Sequence, residues 1–135
     1  MVSDEPAARL SPGLKASVEL TVSEQDTAVA VGSGDVPVLA SPRVLALAEE
    51  AAVGAVAGHL PDGWTSVGTW AELEHRRPTP VDGRVRAEAT LIGVHGRRLE
   101  VAVAVTDGDD VEVARVRHHR ALVDRERFVG ALDDA

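Results

Sequence analysis

The chain has 135 residues, enough for one domain built on one core. Its formal net charge of −8, with no strongly basic tract, argues against nonspecific nucleic-acid binding. It has no cysteine, which excludes disulfides, thiolate nucleophiles and cysteine metal ligands and is compatible with a reducing cytoplasm. No stretch approaches the ~20 apolar residues that span a bilayer, so no membrane partner is expected.

Residues 1–12 are polar and acidic, unlike a signal peptide, and read as a flexible leader. Two strands are expected next, at Lys15–Val22 and Thr27–Val31. In the first, Ala16, Val18, Leu20 and Val22 alternate with Ser17, Glu19 and Thr21, the pattern of a half-buried strand. Ser23–Asp26 is a polar break, Gly32–Asp35 a turn, and Val36–Ala40 a short apolar stretch. Ser41–Pro42 then signals a helix start, with Ser as a preferred cap and Pro suited to the first turn. The run PRVLALAEEAAVGAVAGHL is rich in Ala and Leu. Leu45, Ala48, Ala52, Val56 and Leu60 line one side at helical spacing. Gly54 and Gly58 weaken the helix slightly but admit close approach of another backbone. Beyond the turn at Pro61–Gly63 the chain reads as strands: Val67–His75, Gly83–Gly93, Arg98–Thr106 and Val111–Val123, with a hairpin signal at Asp107–Asp110. Residues 124–135 form a tail with a short helix.

The expected order is therefore β-β-α-β-β-β-β, an α+β class. A curved antiparallel sheet wrapped around one apolar helix buries the apolar faces of both, which is the hotdog arrangement, over residues 13–123. A small barrel with one helix is the structural alternative. With one Phe, two Trp and no Tyr the core has few large anchors, so oligomerisation is a natural way to bury more surface.

Several residues carry chemistry within this frame. Glu49 lies about 40° from Leu45 around the helix axis, whereas Glu50 lies about 140° away. Glu49 is thus a carboxylate on an otherwise apolar face, where it needs a partner or a raised pKa. The plain alternative is a helix whose buried edge falls one residue away. His75 ends its strand on the same face as Leu73, either as a hydrogen-bonded structural residue or as a general acid or base. Ser41 either caps the helix or holds a water or a substrate oxygen. Gly68 either eases packing or lends a backbone donor to a developing oxyanion. Arg76, Arg77, Arg97 and Arg98 are candidates for phosphate contact, or simply solvated charges at strand ends. His118 and His119 are adjacent, so on a strand they face opposite ways and make a poor metal pair. No glycine-rich phosphate loop is visible, and no cofactor or metal is expected.

With these residues in place, VLASPRVLALAEEAAVGAVAGHL followed by SVGTWAELEHRRPTPVDGRVRAEATLIGVHGRRLEVAVAVTDGDDVEVARVRHHRALV resembles the fluoroacetyl-CoA thioesterase-like family of hotdog proteins. Ser41, Glu49, Gly68 and His75 carry the resemblance at mutually consistent spacing. It implies a homodimer that hydrolyses acyl-CoA thioesters through a Thr–Glu–His constellation. Ser41 takes the threonine position, Glu49 the glutamate and His75 the histidine. Gly68 matches the glycine near the substrate carbonyl, and Arg120 an arginine of the last strand that is a candidate ligand contact. The family's phenylalanine-lined lid before the helix is here DVPVLA, without an aromatic residue. The expectation is thioester hydrolysis without selectivity for fluoroacetyl-CoA. A noncatalytic acyl-CoA or hydrophobic-ligand binder, or a hotdog hydratase or dehydratase, are the competing readings.

Overall fold

The computed structural model describes residues 5–134. Five strands form one antiparallel sheet: β1 (Lys15–Thr21), β2 (Trp64–His75), β3 (Arg84–His95), β4 (Arg98–Asp107) and β5 (Glu112–Asp124). Their spatial order is β1-β3-β4-β5-β2, which leaves β1 and β2 at the edges. The helix α2 (Ser41–Ala57) lies mainly over β1 and β3 and also reaches β2, β4 and β5. This is the curved sheet around a central helix that the sequence pattern predicts. Alternation built it: Val85, Ala87, Ala89 and Leu91 of β3 and Leu99, Val101, Val103 and Val105 of β4 all point inward and are buried. Among the described residues no helix is long and apolar enough to cross a membrane.

One expected strand is instead a helix. Thr27–Val31 is the second strand expected from the sequence, but Ala28–Val31 forms a single helical turn, α1. Thr27 caps it, its hydroxyl accepting from the Ala30 N–H, and Gly32 closes it in the left-handed region at φ 87°. Four residues are too few for period to distinguish strand from turn, and the caps on either side decide it. Thr27 pairs with Leu39, and Val38 with Pro80, only as isolated bridges. The segment from Ser23 to Ala40 thus packs around the start of α2, tied there by the Arg43–Asp26 ion pair at 2.9 Å.

Helix α2 is rotated from the expected stripe. Its buried residues are Val44, Leu47, Ala48, Ala51, Ala52, Ala55 and Val56, while Leu45 is only half-buried. The helix is apolar on most sides, so its sequence marks the buried arc poorly. The shift places Glu49 at the margin of the buried face rather than within it. Gly54 does serve close packing: a Cβ there would lie 3.2 Å from the Ala16 Cβ of β1, whereas at Gly58 nothing lies within 4 Å. The core also reaches into the segment expected to be a leader, where Leu10 is buried, and just beyond that segment Gly13 N–H bonds to Leu91 O at 2.8 Å. Residues 1–4 lie outside the described residues. The tail carries the expected short helix, α3 (Arg125–Ala131), capped by Asp124.

Candidate active site

The first turn of α2 and the last residue of β2 meet at one end of the sheet. Ser41 does not cap the helix. Ala40 is the cap residue, Ser41 is already helical, and its hydroxyl is engaged elsewhere. Ser41 Oγ lies 2.8 Å from His75 Nδ1. His75 is half-buried on the same side of β2 as Leu73, as its parity requires. Burial pushes its imidazolium below the ordinary histidine range, with the Arg77 backbone opposing. Its Nε2 is covered without a well-formed hydrogen bond. A cavity of about 310 Å³ opens beside the pair, lined by Ala28, Val38, Leu39, Ala40 and Pro78, with Arg76 and Arg77 at its rim. A neutral imidazole on a serine hydroxyl beside such a cavity can take a proton from that hydroxyl or from a water bound there.

Glu49 belongs to a second cluster, eight residues further along α2, or about 12 Å along its axis at 1.5 Å per residue. Its Oε2 lies 3.4 Å from Arg120 Nη1 and 3.7 Å from His118 Nε2. Arg120 and His118 stand two apart on β5 and share its inward face with Val116 and Leu122. They are 5% and 2% exposed, so both are fully within the protein. The Arg120 Nε donates to Ser66 Oγ at 2.8 Å, its Nη2 to Ser66 O at 3.0 Å, and its Nη1 contacts His118 Nε2 at 3.0 Å. His118 Nδ1 lies 2.8 Å from Trp70 O. Burial pushes the His118 imidazolium down, and the Arg120 charge pushes it the same way. Burial also lowers Arg120, with Glu49 opposing.

Gly68 completes this cluster. It pairs with Arg120 across the β2–β5 ladder, next to a bulge at Thr69 that separates it from the Trp70–His119 pair. A Cβ on Gly68 would lie 2.6 Å from Glu49 Oε2 and 3.1 Å from His118 Cε1. Glycine is therefore what leaves room for the carboxylate.

The structure brings Ser41 to His75, and Glu49 to Gly68 and Arg120, but within one chain it does not bring Glu49 to His75. Of the four arginines expected to meet phosphate, three are engaged. Arg76 pairs with Glu74 at 2.9 Å and Glu112 at 3.1 Å, Arg98 lies 3.6 Å from Glu100, and Arg97 stacks over the Trp64 ring at 4.7 Å. Arg77 alone among them has no side-chain partner among the described residues, and it lies at the cavity rim. Trp70 faces outward, 45% exposed, with its ring 4.5 Å from that of His119. Sequence reasoning missed His118 and Ser66. Strand parity was the available signal for His118: it shares the face of Val116 and Leu122. Nothing in the sequence marks Ser66. Among the described residues no three His, Asp or Glu side chains gather as a metal site.

Comparison with known proteins agrees with this fold. Residues 22–126 match the family model described as fluoroacetyl-CoA-specific thioesterase. The fluoroacetyl-CoA thioesterase of Streptantibioticus cattleyicolor is 37% identical over 91 residues, which span 67% of this chain and 65% of that protein. A solved structure of the fluoroacetyl-CoA thioesterase FlK superposes with a TM-score of 0.85 at 28% identity, covering 93% of this chain and 96% of that one. A threonine-to-serine variant of FlK, solved in complex with acetyl-CoA, gives 0.84 at 29% identity, covering 93% and 98%. With a family model matched over most of its length and this fold beneath it, the chain belongs to the fluoroacetyl-CoA-specific thioesterase family.

Proposed function

We propose that the protein hydrolyses a small or medium acyl-CoA thioester to a carboxylic acid and free CoA, with Ser41, Glu49 and His75 as the reacting set. The observation that carries this reading is the Ser41–His75 hydrogen bond beside a cavity, on the same helix as a carboxylate held by a buried arginine. The acyl chain occupies the cavity, where the segment before the helix, DVPVLA, carries no aromatic residue. Glu49 either attacks the carbonyl to give an acyl anhydride, which water then opens, or takes the proton from an attacking water. In both routes the thioester C–S bond breaks and the CoA thiolate leaves, to be protonated with the help of His75. Gly68 and Arg120 lie beside the carboxylate, where they contact the thioester. Of the candidate phosphate contacts, Arg77 is the one with a guanidinium to spare.

The working unit of this reading is a homodimer acting in the cytoplasm. Among the described residues β2 lies at an edge of the sheet, and its outer side offers ladder groups to a second copy. An antiparallel pairing of β2 with the partner's β2 that sets one His75 across from the other Gly68 joins the two half-sites, which lie about 12 Å apart in one chain. Each site then takes Ser41 and His75 from one subunit and Glu49 and Arg120 from the other.

The test is turnover of an acyl-CoA panel by the wild type and by Glu49→Ala, with free thiol and carboxylic acid measured together. Release of both by the wild type and loss of both in a folded variant supports the reading. Ligand binding without turnover would replace it with a noncatalytic acyl-CoA binder, and hydration of an enoyl thioester without thiol release with a hydratase.

A further inference from the structure

The inward face of β5 is apolar at Val116 and Leu122 and polar between them, at His118 and Arg120. Two polar groups this deeply buried are costly unless every donor and acceptor is matched. Matching them here fixes where the His118 proton sits. A guanidinium only donates, so His118 Nε2, 3.0 Å from Arg120 Nη1, must accept. A neutral ring with Nε2 as acceptor carries its proton on Nδ1, and Nδ1 faces the Trp70 carbonyl at 2.8 Å. One tautomer satisfies both nitrogens. The imidazolium would set two donors against each other at Nε2 and Nη1. The groups facing this ring are Arg120 from β5, Glu49 from α2 and the Trp70 carbonyl from β2, with His119 of β5 acting on its charge from the opposite face. The 3.7 Å approach of His118 Nε2 to Glu49 Oε2 is therefore one acceptor beside another and not an ion pair.

We propose that His118 is a positioning residue for the hydrolysis, acting through Arg120. Its neutral Nδ1–H form receives one Nη1–H of the guanidinium, while Ser66 receives the Nε–H and one Nη2–H. The guanidinium held at these points directs its other Nη1–H at Glu49 Oε2. That fixes one carboxylate oxygen and leaves Oε1 for the thioester or the water. The bulge at Thr69 belongs to the same device: it interrupts the β2–β5 register beside Gly68, where the Trp70 carbonyl meets the His118 ring. This inference rests on the thioesterase reading of Glu49, but its geometry can be tested without it.

The first measurement is the ¹⁵N spectrum of the His118 ring in the wild-type protein at pH 7. Protonated Nδ1 with unprotonated Nε2 is expected, and a protonated Nε2 overturns the proposal whatever the activity. The second is a double-mutant cycle on turnover. His118→Phe is expected to lower kcat about 100-fold, the scale of an ångström-sized misplacement, with KM little changed. His118→Gln, which keeps an acceptor toward Nη1, recovers most of that loss. In an Arg120→Met background His118→Phe costs nothing further. Independent, multiplying losses in the double variant overturn the proposal, as does a Gln variant no better than Phe. If Glu49→Gln leaves turnover intact, the thioesterase role of Glu49 fails instead, and the ring spectrum still decides the His118 geometry.

Discussion

The two half-sites on α2 are built to different standards. Ser41 and His75 share one hydrogen bond of 2.8 Å, with Ser41 exposed and His75 only half-buried. Around Glu49, two buried side chains are held by contacts to Ser66, to the Trp70 carbonyl and to each other. The first pair is free to exchange its bond for one to substrate or water. The second is fixed before substrate arrives, which is the condition for electrostatic stabilisation without reorganisation during reaction. Substitutions at the first end should therefore change turnover and leave stability alone, and those deep in the second should change both.

The largest effect is expected at the carboxylate. Glu49→Gln keeps the shape but removes the charge and the base, and turnover should fall about 10³-fold, within the range for a lost general base. Glu49 is also the counter-charge of the buried Arg120, so the melting temperature should fall as well. Near-wild-type turnover would remove Glu49 from the reaction. Next comes Gly68→Ala. Its Cβ would lie 2.6 Å from Glu49 Oε2, the far end of a flexible side chain that can move aside. The fold should survive while the carboxylate is displaced, at a cost of about 10²-fold in kcat. A folded Gly68→Ala enzyme of normal rate would show that the carboxylate position is not critical.

The same contrast explains what the sequence revealed. The sheet was legible because β3, β4 and β5 alternate over ten or more residues, and a two-residue period that long has few other readings. Ala28–Val31 was not, because one helical turn and one short strand look alike until the Thr27 cap and the Gly32 turn are seen. Ser41, Glu49 and His75 were legible as residues, since a polar group on an apolar face stands out and the family resemblance supplied their spacing. Their grouping was not. Sequence gives position along an element, and only the packed helix shows that Glu49 and His75 sit at separate places within one chain. His118 was weighed only with His119, as a poor metal pair, while its parity with Val116 pointed to a buried partner for Arg120.

At the lighter end, Ser41→Ala should cost about tenfold in turnover, less than the loss of a general base, because His75 can orient a water in place of the hydroxyl. Ala40 is the helix cap, so no capping bond is lost and thermal stability should stay within error. A large drop in melting temperature would show that the hydroxyl braces the fold, and would erase the contrast between the two ends.

The smallest effect is a pH dependence of stability shared by both ends. Burial lowers both His75 and His118 from the ordinary histidine value of 6.5. The unfolded chain then takes up protons that the folded chain refuses, over the window from 6.5 down to the lowered values. Stability rises with pH wherever the unfolded state binds more protons, so it is complete above 6.5 and is lost as pH falls through that window. The urea midpoint should accordingly be lower at about pH 5.5 than at about pH 7.5. A flat or rising midpoint on acidification would mean that at least one ring is charged in the fold. His118→Gln should flatten the slope if the second cluster dominates. His75→Gln should do so if the first does. The deeper burial of His118, with Arg120 and His119 both opposing a positive ring, predicts the former.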